Sequence, residues 1–207
     1  STLLANDPHL GLTAPSIWYL ARLELETGGV IGGTIPGVPL VMTGRSADLG
    51  WGITSSYLDD QDLFLEEVNP SDTNQYRTPD GWADFRTRES IIQVADGASV
   101  TLLLRWTDNG PVFERNEQVM IQMGLPEILP PGHVVSLGWT ALSREDTTVQ
   151  AAMRLMRARS VEQGIAAAEG YVAPSQMLTL ADRNSIGLKL IGQMPDRDPN
   201  HQTQGRR

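Results

Sequence analysis

Cysteine is missing from all 207 residues, which excludes disulfides, thiolate nucleophiles and cysteine-bound zinc. Long apolar runs are missing too. None reaches the roughly 20 residues of a membrane-spanning helix, so no membrane association is expected. Asn6, Asp7 and His9 interrupt the start, which does not read as a signal peptide. If the chain is an excised piece of a secreted precursor, its targeting signal lies outside the piece. Basic residues are few, 16 Lys and Arg against 25 Asp and Glu, for a net charge of −9. Phosphate backbones require the opposite balance, so nucleic acid is excluded as a partner. There is no phosphate-binding glycine loop, no GxSxG and no HExxH. What is present is 40% hydrophobic and 20% charged residues, the composition of a globular protein long enough to bury a core.

Residues 1–141 read mainly as strands broken by glycine and proline. Ile17 to Leu25 alternates in its second half, Gly28-Gly29 and Gly32-Gly33 mark turns, and Gln61 to Val68 reads as a strand carrying acidic residues outward. Asn69-Pro70 and Pro79-Asp80-Gly81 are turns, and Ser99 to Trp106 is β-rich. Asp108-Asn109-Gly110-Pro111 connects to Val112-Phe113, and Val134 to Trp139 is a short apolar strand. Pro126, Pro130 and Pro131 place a surface loop before it. Residues 142–172 change character. Val149, Ala152, Met153 and Met156 fall at helical spacing, and Ser160-Val161-Glu162-Gln163 has the spacing of a capping box for a second helix that stops near Gly170. Residues 173–194 form a strand pair, Gln176 to Ala181 and Ile186 to Ile191, and 195–207 a polar tail. Connections this short allow antiparallel pairing and not crossovers. The chain is therefore α+β, with residues 1–207 taken together as one piece.

Three clusters carry chemistry. His9, on the turn after Asn6-Asp7-Pro8, has two readings: a proton shuttle beside a nucleophile, or a loop histidine bonded to the backbone. Gly50-Trp51-Gly52-Ile53-Thr54-Ser55 offers a backbone N–H at a strand end, as an oxyanion site needs, or a plain turn over a buried tryptophan. Asp59, Asp60 and Asp62 are either ligands for a hard cation such as calcium or a solvated acidic loop, and their spacing is not that of an EF-hand. Trp18, Trp51, Tyr57 and Trp82 read as core or turn packing.

These pieces, in this order, resemble the β-chain of the penicillin acylase family of N-terminal-nucleophile hydrolases. Leu3-Leu4-Ala5-Asn6-Asp7-Pro8-His9-Leu10-Gly11 resembles the first β-chain segment, and Pro36-Gly37-Val38-Pro39 through Trp51-Gly52-Ile53-Thr54 the next strand pair. Asn109-Gly110-Pro111-Val112, Trp139-Thr140-Ala141-Leu142, the two helices and Ala173-Pro174-Ser175-Gln176 extend the likeness along nearly the whole chain. The resemblance implies a four-layer αββα sandwich of mainly antiparallel sheets, of which this chain is a fragment. It implies hydrolysis of a linear amide, of the kind in β-lactam side chains or N-acyl-homoserine lactones, through an acyl-enzyme. It gives His9 a place at the nucleophile or acyl pocket and makes the Ser55 backbone N–H an oxyanion donor. It assigns a structural calcium (Ca2+) to Asp59, Gln61 through its carbonyl, and Asp62. Arg197, in a segment ending Pro195-Asp196-Arg197, matches loosely an arginine that supports the active site. The family further implies a periplasmic or secreted protein whose partners are an α-chain and the remaining β-chain of the same precursor, with a small-molecule acyl amide as substrate.

Two departures stand out. Family β-chains begin with a catalytic serine about a dozen residues before the Leu-Leu-Ala-Asn-Asp-Pro segment, whereas only Ser1 and Thr2 precede it here. The nucleophile is expected upstream of this sequence, which makes the chain alone inactive; the alternative is Ser1 itself, whose α-amine can act as base. Met177 stands where relatives carry an asparagine whose side-chain amide is the second oxyanion donor. A thioether cannot donate a hydrogen bond. The alternative expectation is therefore a catalytically inactive calcium-binding structural module of the same fold.

Overall fold

The computed structural model describes residues 2–24, 26, 28–113 and 129–197. Ser1, Pro126 and the tail beyond Arg197, all invoked above, lie outside the described residues. The chain groups into two units, Ser1–Asp60 with Ser143–Met194, and Gln61–Leu142 with Pro195–Arg207.

The first unit is built on one antiparallel sheet. Strands β1 (Tyr19–Leu23), β2 (Val30–Thr34), β3 (Thr43–Arg45) and β4 (Gly50–Ser55) follow in order, and β12 (Gln176–Ala181) and β13 (Ile186–Ile191) complete it beside β4. Gly32 and Gly33 are not a turn, as their pairing predicts, but lie inside β2. A Cβ on Gly32 would stand 2.0 Å from the Thr43 carbonyl oxygen, and one on Gly44 would stand 2.3 Å from that of Ile31. Glycine is there because β2 and β3 approach too closely for side chains.

Two helices, α1 (Thr148–Leu155) and α2 (Val161–Ala167), pack on one face of this sheet. Alternation along β12 sends Leu178 and Leu180 into that layer, where both are fully buried with Trp51, Leu49 and Val161. The Trp51 Nε1–H donates to the Val41 carbonyl at 3.0 Å, so the indole is buried without an orphaned donor. The capping box forms largely as its spacing predicts. Ser160 Oγ accepts the Gln163 N–H at 3.2 Å, while the Gln163 side chain reaches back to the Arg159 N–H at 3.0 Å.

Asp182 ties α2 to the β12–β13 turn. Its carboxylate accepts N–H groups from Val161, Asn184 and Ser185, each at 2.8 Å. These donors, Val161 first, hold the Asp182 carboxyl below the usual aspartate range.

The second unit holds the remaining strands: β5 (Gln61–Glu67), β6 (Gln75–Thr78), β7 (Gly81–Asp84), β8 (Arg86–Ile92), β9 (Val100–Trp106), β10 (Val112–Phe113) and β11 (His133–Trp139). They form a three-stranded sheet in the order β10-β11-β5 and the hairpins β6-β7 and β8-β9. Strand β5 carries Glu67 outward as expected, but not its other acidic residues. Glu66 is buried and Asp62 half-buried, whereas Leu63 and Leu65 are exposed. The burial is tolerated because Glu66 Oε1 accepts from Ser136 Oγ at 2.6 Å, Thr107 Oγ1 at 2.8 Å and Asn109 Nδ2 at 2.9 Å.

Two outcomes test these anchors. A carboxyl with a depressed folded pKa contributes stability above its unfolded pKa of about 3.9, and loses it as pH falls through the lower folded value. Asp182→Asn is expected to lower Tm at pH 7 and to flatten the fall of Tm as pH drops below about 4; an unchanged acid profile contradicts the assigned role. Glu66→Ala leaves three donors facing no acceptor, and urea titration should show a loss of about 2–3 kcal/mol.

Candidate active-site elements

The first unit brings two sequence-predicted site residues, Ser55 and Met177, to one strand pair. In the β4–β12 register, Ser55 stands opposite Gln176 and Thr54 opposite Met177. Directly opposed residues in an antiparallel pair have Cα atoms about 4.5–5.5 Å apart, so the Ser55 backbone and the residue-177 side chain share one end of the pair. Ser55 is exposed, as a donor to an incoming ligand must be.

The segment from Thr2 onward lies along β4. Thr2 Oγ1 donates to the Asp182 carbonyl, and a Cβ on Gly50 would meet Leu4 at 3.2 Å. Asn6 then bridges two strands, its Nδ2 donating to the Ile53 carbonyl at 3.0 Å and its Oδ1 accepting from Thr43 Oγ1 at 2.8 Å. Gly52 is glycine for this reason, since a Cβ there would fall 2.6 Å from the Asn6 side chain. The segment therefore runs in the direction of β4, from its start at Gly50 toward its end at Ser55. Asn6, which the sequence offered only as part of a motif, is what fastens it.

His9 follows on this path. Its ring is exposed, with Nδ1 2.9 Å from the Asp7 carbonyl oxygen and Nε2 3.7 Å from the Asp7 carboxylate. Locally this is the loop-histidine arrangement. Tyr57, expected to pack, is instead 91% exposed with φ of 55°, two residues past the end of β4. The left-handed conformation turns the chain sharply after Ser55 and leaves no packing partner for the ring.

Asp62 and Arg197 meet in the second unit. Arg197 Nε donates to Asp62 Oδ2 at 2.8 Å, and both side chains are 17% exposed. The loose assignment of Arg197 thus resolves into a charge partner for a predicted calcium ligand. The division between the units falls between Asp60 and Gln61, inside the predicted calcium loop. Asp59 is exposed and Asp60 buried. Among the described residues no three acidic or imidazole side chains converge in a metal-binding group. A guanidinium on Asp62 supplies positive charge to that carboxylate.

Comparison with known proteins bears on family and fold. The family described as penicillin amidase matches residues 1–207. The acyl-homoserine lactone acylase QuiP of Pseudomonas aeruginosa is 28% identical over 198 residues, 95% of this chain and 23% of that protein. Penicillin G acylase of Escherichia coli is 24% identical, over 96% of this chain and 22% of that protein. The chain thus spans about a quarter of the length of the curated relatives it matches. A thermostable penicillin G acylase from Alcaligenes faecalis superposes with a TM-score of 0.78 at 23% identity, over 94% of this chain and 33% of that one. The α+β fold of antiparallel sheets with two helices is that of this acylase, and the chain belongs to the penicillin amidase family.

Proposed function

We propose that the protein carrying this chain hydrolyses a linear amide between an acyl group and an amine, with β4 and β12 as its oxyanion-binding strands. The observation that carries this reading is the register that sets Ser55 and position 177 at one end of the pair, with the Thr2–Asn6 segment laid along β4. A serine hydroxyl attacks the amide carbonyl carbon while its own α-amine accepts the proton. The carbonyl oxygen becomes an oxyanion, and the Ser55 N–H donates to it. The C–N bond then breaks, the amine leaves with the proton, and water hydrolyses the acyl-enzyme ester. His9 orients the nucleophile or shapes the acyl pocket. The relatives named above act, by their names, on acyl-homoserine lactones and penicillin G, and both amide classes are proposed as substrates.

The attacking serine is proposed to lie upstream of this sequence. Thr2 is bonded at Asp182, six positions along β12 from Gln176. At about 3.3 Å per residue that is roughly 20 Å, whereas one further residue adds only about 3.8 Å between Cα atoms. An α-chain and further β-chain from one precursor are the proposed partners. Ile186, Leu188 and Leu190 alternate along β13 and are all exposed, an apolar strip that calls for cover. One relative is named as a proenzyme, and a periplasmic or secreted location is proposed with this processing.

Met177 favours a second reading, a catalytically inactive structural module. Losing one oxyanion donor costs about 10²–10³ in rate. In the protein carrying this chain, Met177→Asn is therefore expected to raise kcat by about that factor on a chromogenic acyl amide. No gain supports the inactive module. Calcium at Asp59, Gln61 and Asp62 is a separate proposal, in which the ion shares Asp62 with Arg197. A chelator is then expected to lower Tm, because a ligand bound only by the folded state stabilises it; an unchanged Tm would overturn the ion.

A further inference from the structure

The start of α1 and the loop that feeds β12 share hydrogen bonds that the helix does not need for itself. A threonine at a helix start ordinarily turns its hydroxyl onto the free N–H groups of its own first turn. Thr147 occupies the N-cap position and makes no such bond. Asp146 does part of that work, its Oδ1 accepting the Thr148 N–H at 2.8 Å. Both threonine hydroxyls are directed at the loop instead. Thr147 Oγ1 donates to the Gly170 carbonyl at 2.5 Å, and Thr148 Oγ1 accepts from Val172 N at 2.9 Å and from Ala173 N at 3.1 Å. Arg154 adds its Nη2 on the Glu169 carbonyl at 2.6 Å. Gly170 has φ of 83°, and a Cβ there would lie 2.9 Å from Thr147 Oγ1, so the loop is shaped to this grip.

The loop cannot satisfy itself otherwise. Val172 and Ala173 are 4% and 6% exposed, so without the Thr148 oxygen their N–H groups face neither water nor an acceptor. The Val172 carbonyl accepts from Gln193 N at 2.9 Å, which closes the same end of the sheet from beyond β13. Ser175 is buried beside Gly192, where a Cβ would stand 2.8 Å from the Ser175 Cα. The backbone from Val172 to Gln176 is therefore fixed from both sides just before it delivers Met177 opposite Thr54.

We propose that Thr148 is a positioning residue for the oxyanion strand: by accepting the Val172 and Ala173 N–H groups it sets where β12 enters the sheet, and so where the residue-177 side chain lies relative to the Ser55 N–H. The inference rests on the amidase reading given above. Thr148 acts through the backbone of residues 172–176 and touches no reacting atom.

Two variants of the protein carrying this chain separate this role from general stability. Thr148→Val keeps the shape and removes the acceptor, while Thr148→Ser keeps the acceptor. Thr148→Val should speed hydrogen exchange at the Val172 and Ala173 amides by about tenfold or more, with the α2 amides unchanged and Thr148→Ser like the original. On an acyl-amide substrate, in the Met177→Asn background where residue 177 can donate, Thr148→Val should lower kcat by about tenfold or more with KM within about twofold, and Thr148→Ser should restore it. Arg154→Met, at an exposed residue, gives a milder probe if Thr148→Val does not fold, with smaller effects in the same direction. Unchanged exchange at Val172 and Ala173, or a kcat loss in both Thr148 variants that merely follows Tm, overturns the proposal. Absence of turnover in the unaltered protein contradicts the amidase reading and not the clamp, which the exchange measurement decides alone.

Discussion

Everything proposed for this chain depends on one antiparallel pairing, that of β4 with β12. It joins a strand near the start of the chain to one near its end, and its register decides which side chains meet. A slip of one residue would send Leu178 and Leu180 to the opposite face and take Met177 into the helix-covered layer. The register is held by the apolar core on one face, where Leu178 and Leu180 are fully buried against the helices. On the other face Asn6 grips the Ile53 carbonyl and packs where only glycine fits at position 52. The loop before β12 is gripped in turn by the first turn of α1. The buried core and the ligand-facing strand end are thus two sides of the same sheet.

That arrangement explains how a family member can keep its scaffold while carrying methionine at position 177. Methionine is one atom longer than asparagine, but the pairing of β12 with β4 is made by the backbone, which both residues share. What changes is chemistry: a thioether offers no N–H to a developing oxyanion, and in the proposed mechanism the Ser55 N–H carries the charge without that partner. The loss falls on the transition state and leaves the fold untouched, so the consequence lies in rate and not in stability. In the other unit, two acidic side chains of β5 are met by protein groups. Asp62 has a guanidinium, and Glu66 has two hydroxyls and an amide.

Local features of the fold were legible in the sequence. Ser160 and Gln163 announced the start of α2, Pro79-Asp80-Gly81 a hairpin turn, and Asp182 to Ser185 the connection between β12 and β13, because each depends on residues close together in the chain. Gly32 and Gly33 were misread because glycine looks the same in a turn as in a strand that needs close approach. Only the distant Thr43 and Gly44 reveal which applies. The burial of Glu66 was invisible for the same reason, since its donors lie 41, 43 and 70 residues away. Ser55 and Met177 could be named from family resemblance, but their adjacency is a property of the sheet. Arg197 could be matched only loosely, and its bond to Asp62 had no local signal.

The most direct measurement is a structure of the protein carrying this chain with an acyl boronate or phosphonate that mimics the tetrahedral intermediate. The account predicts the mimic's oxyanion oxygen at about 2.7–3.1 Å from the Ser55 backbone nitrogen, with the Met177 side chain beside it and the covalent bond made by a serine other than Ser1. An oxygen bound away from the Ser55 end of β4, or a bond to Ser1, would contradict it.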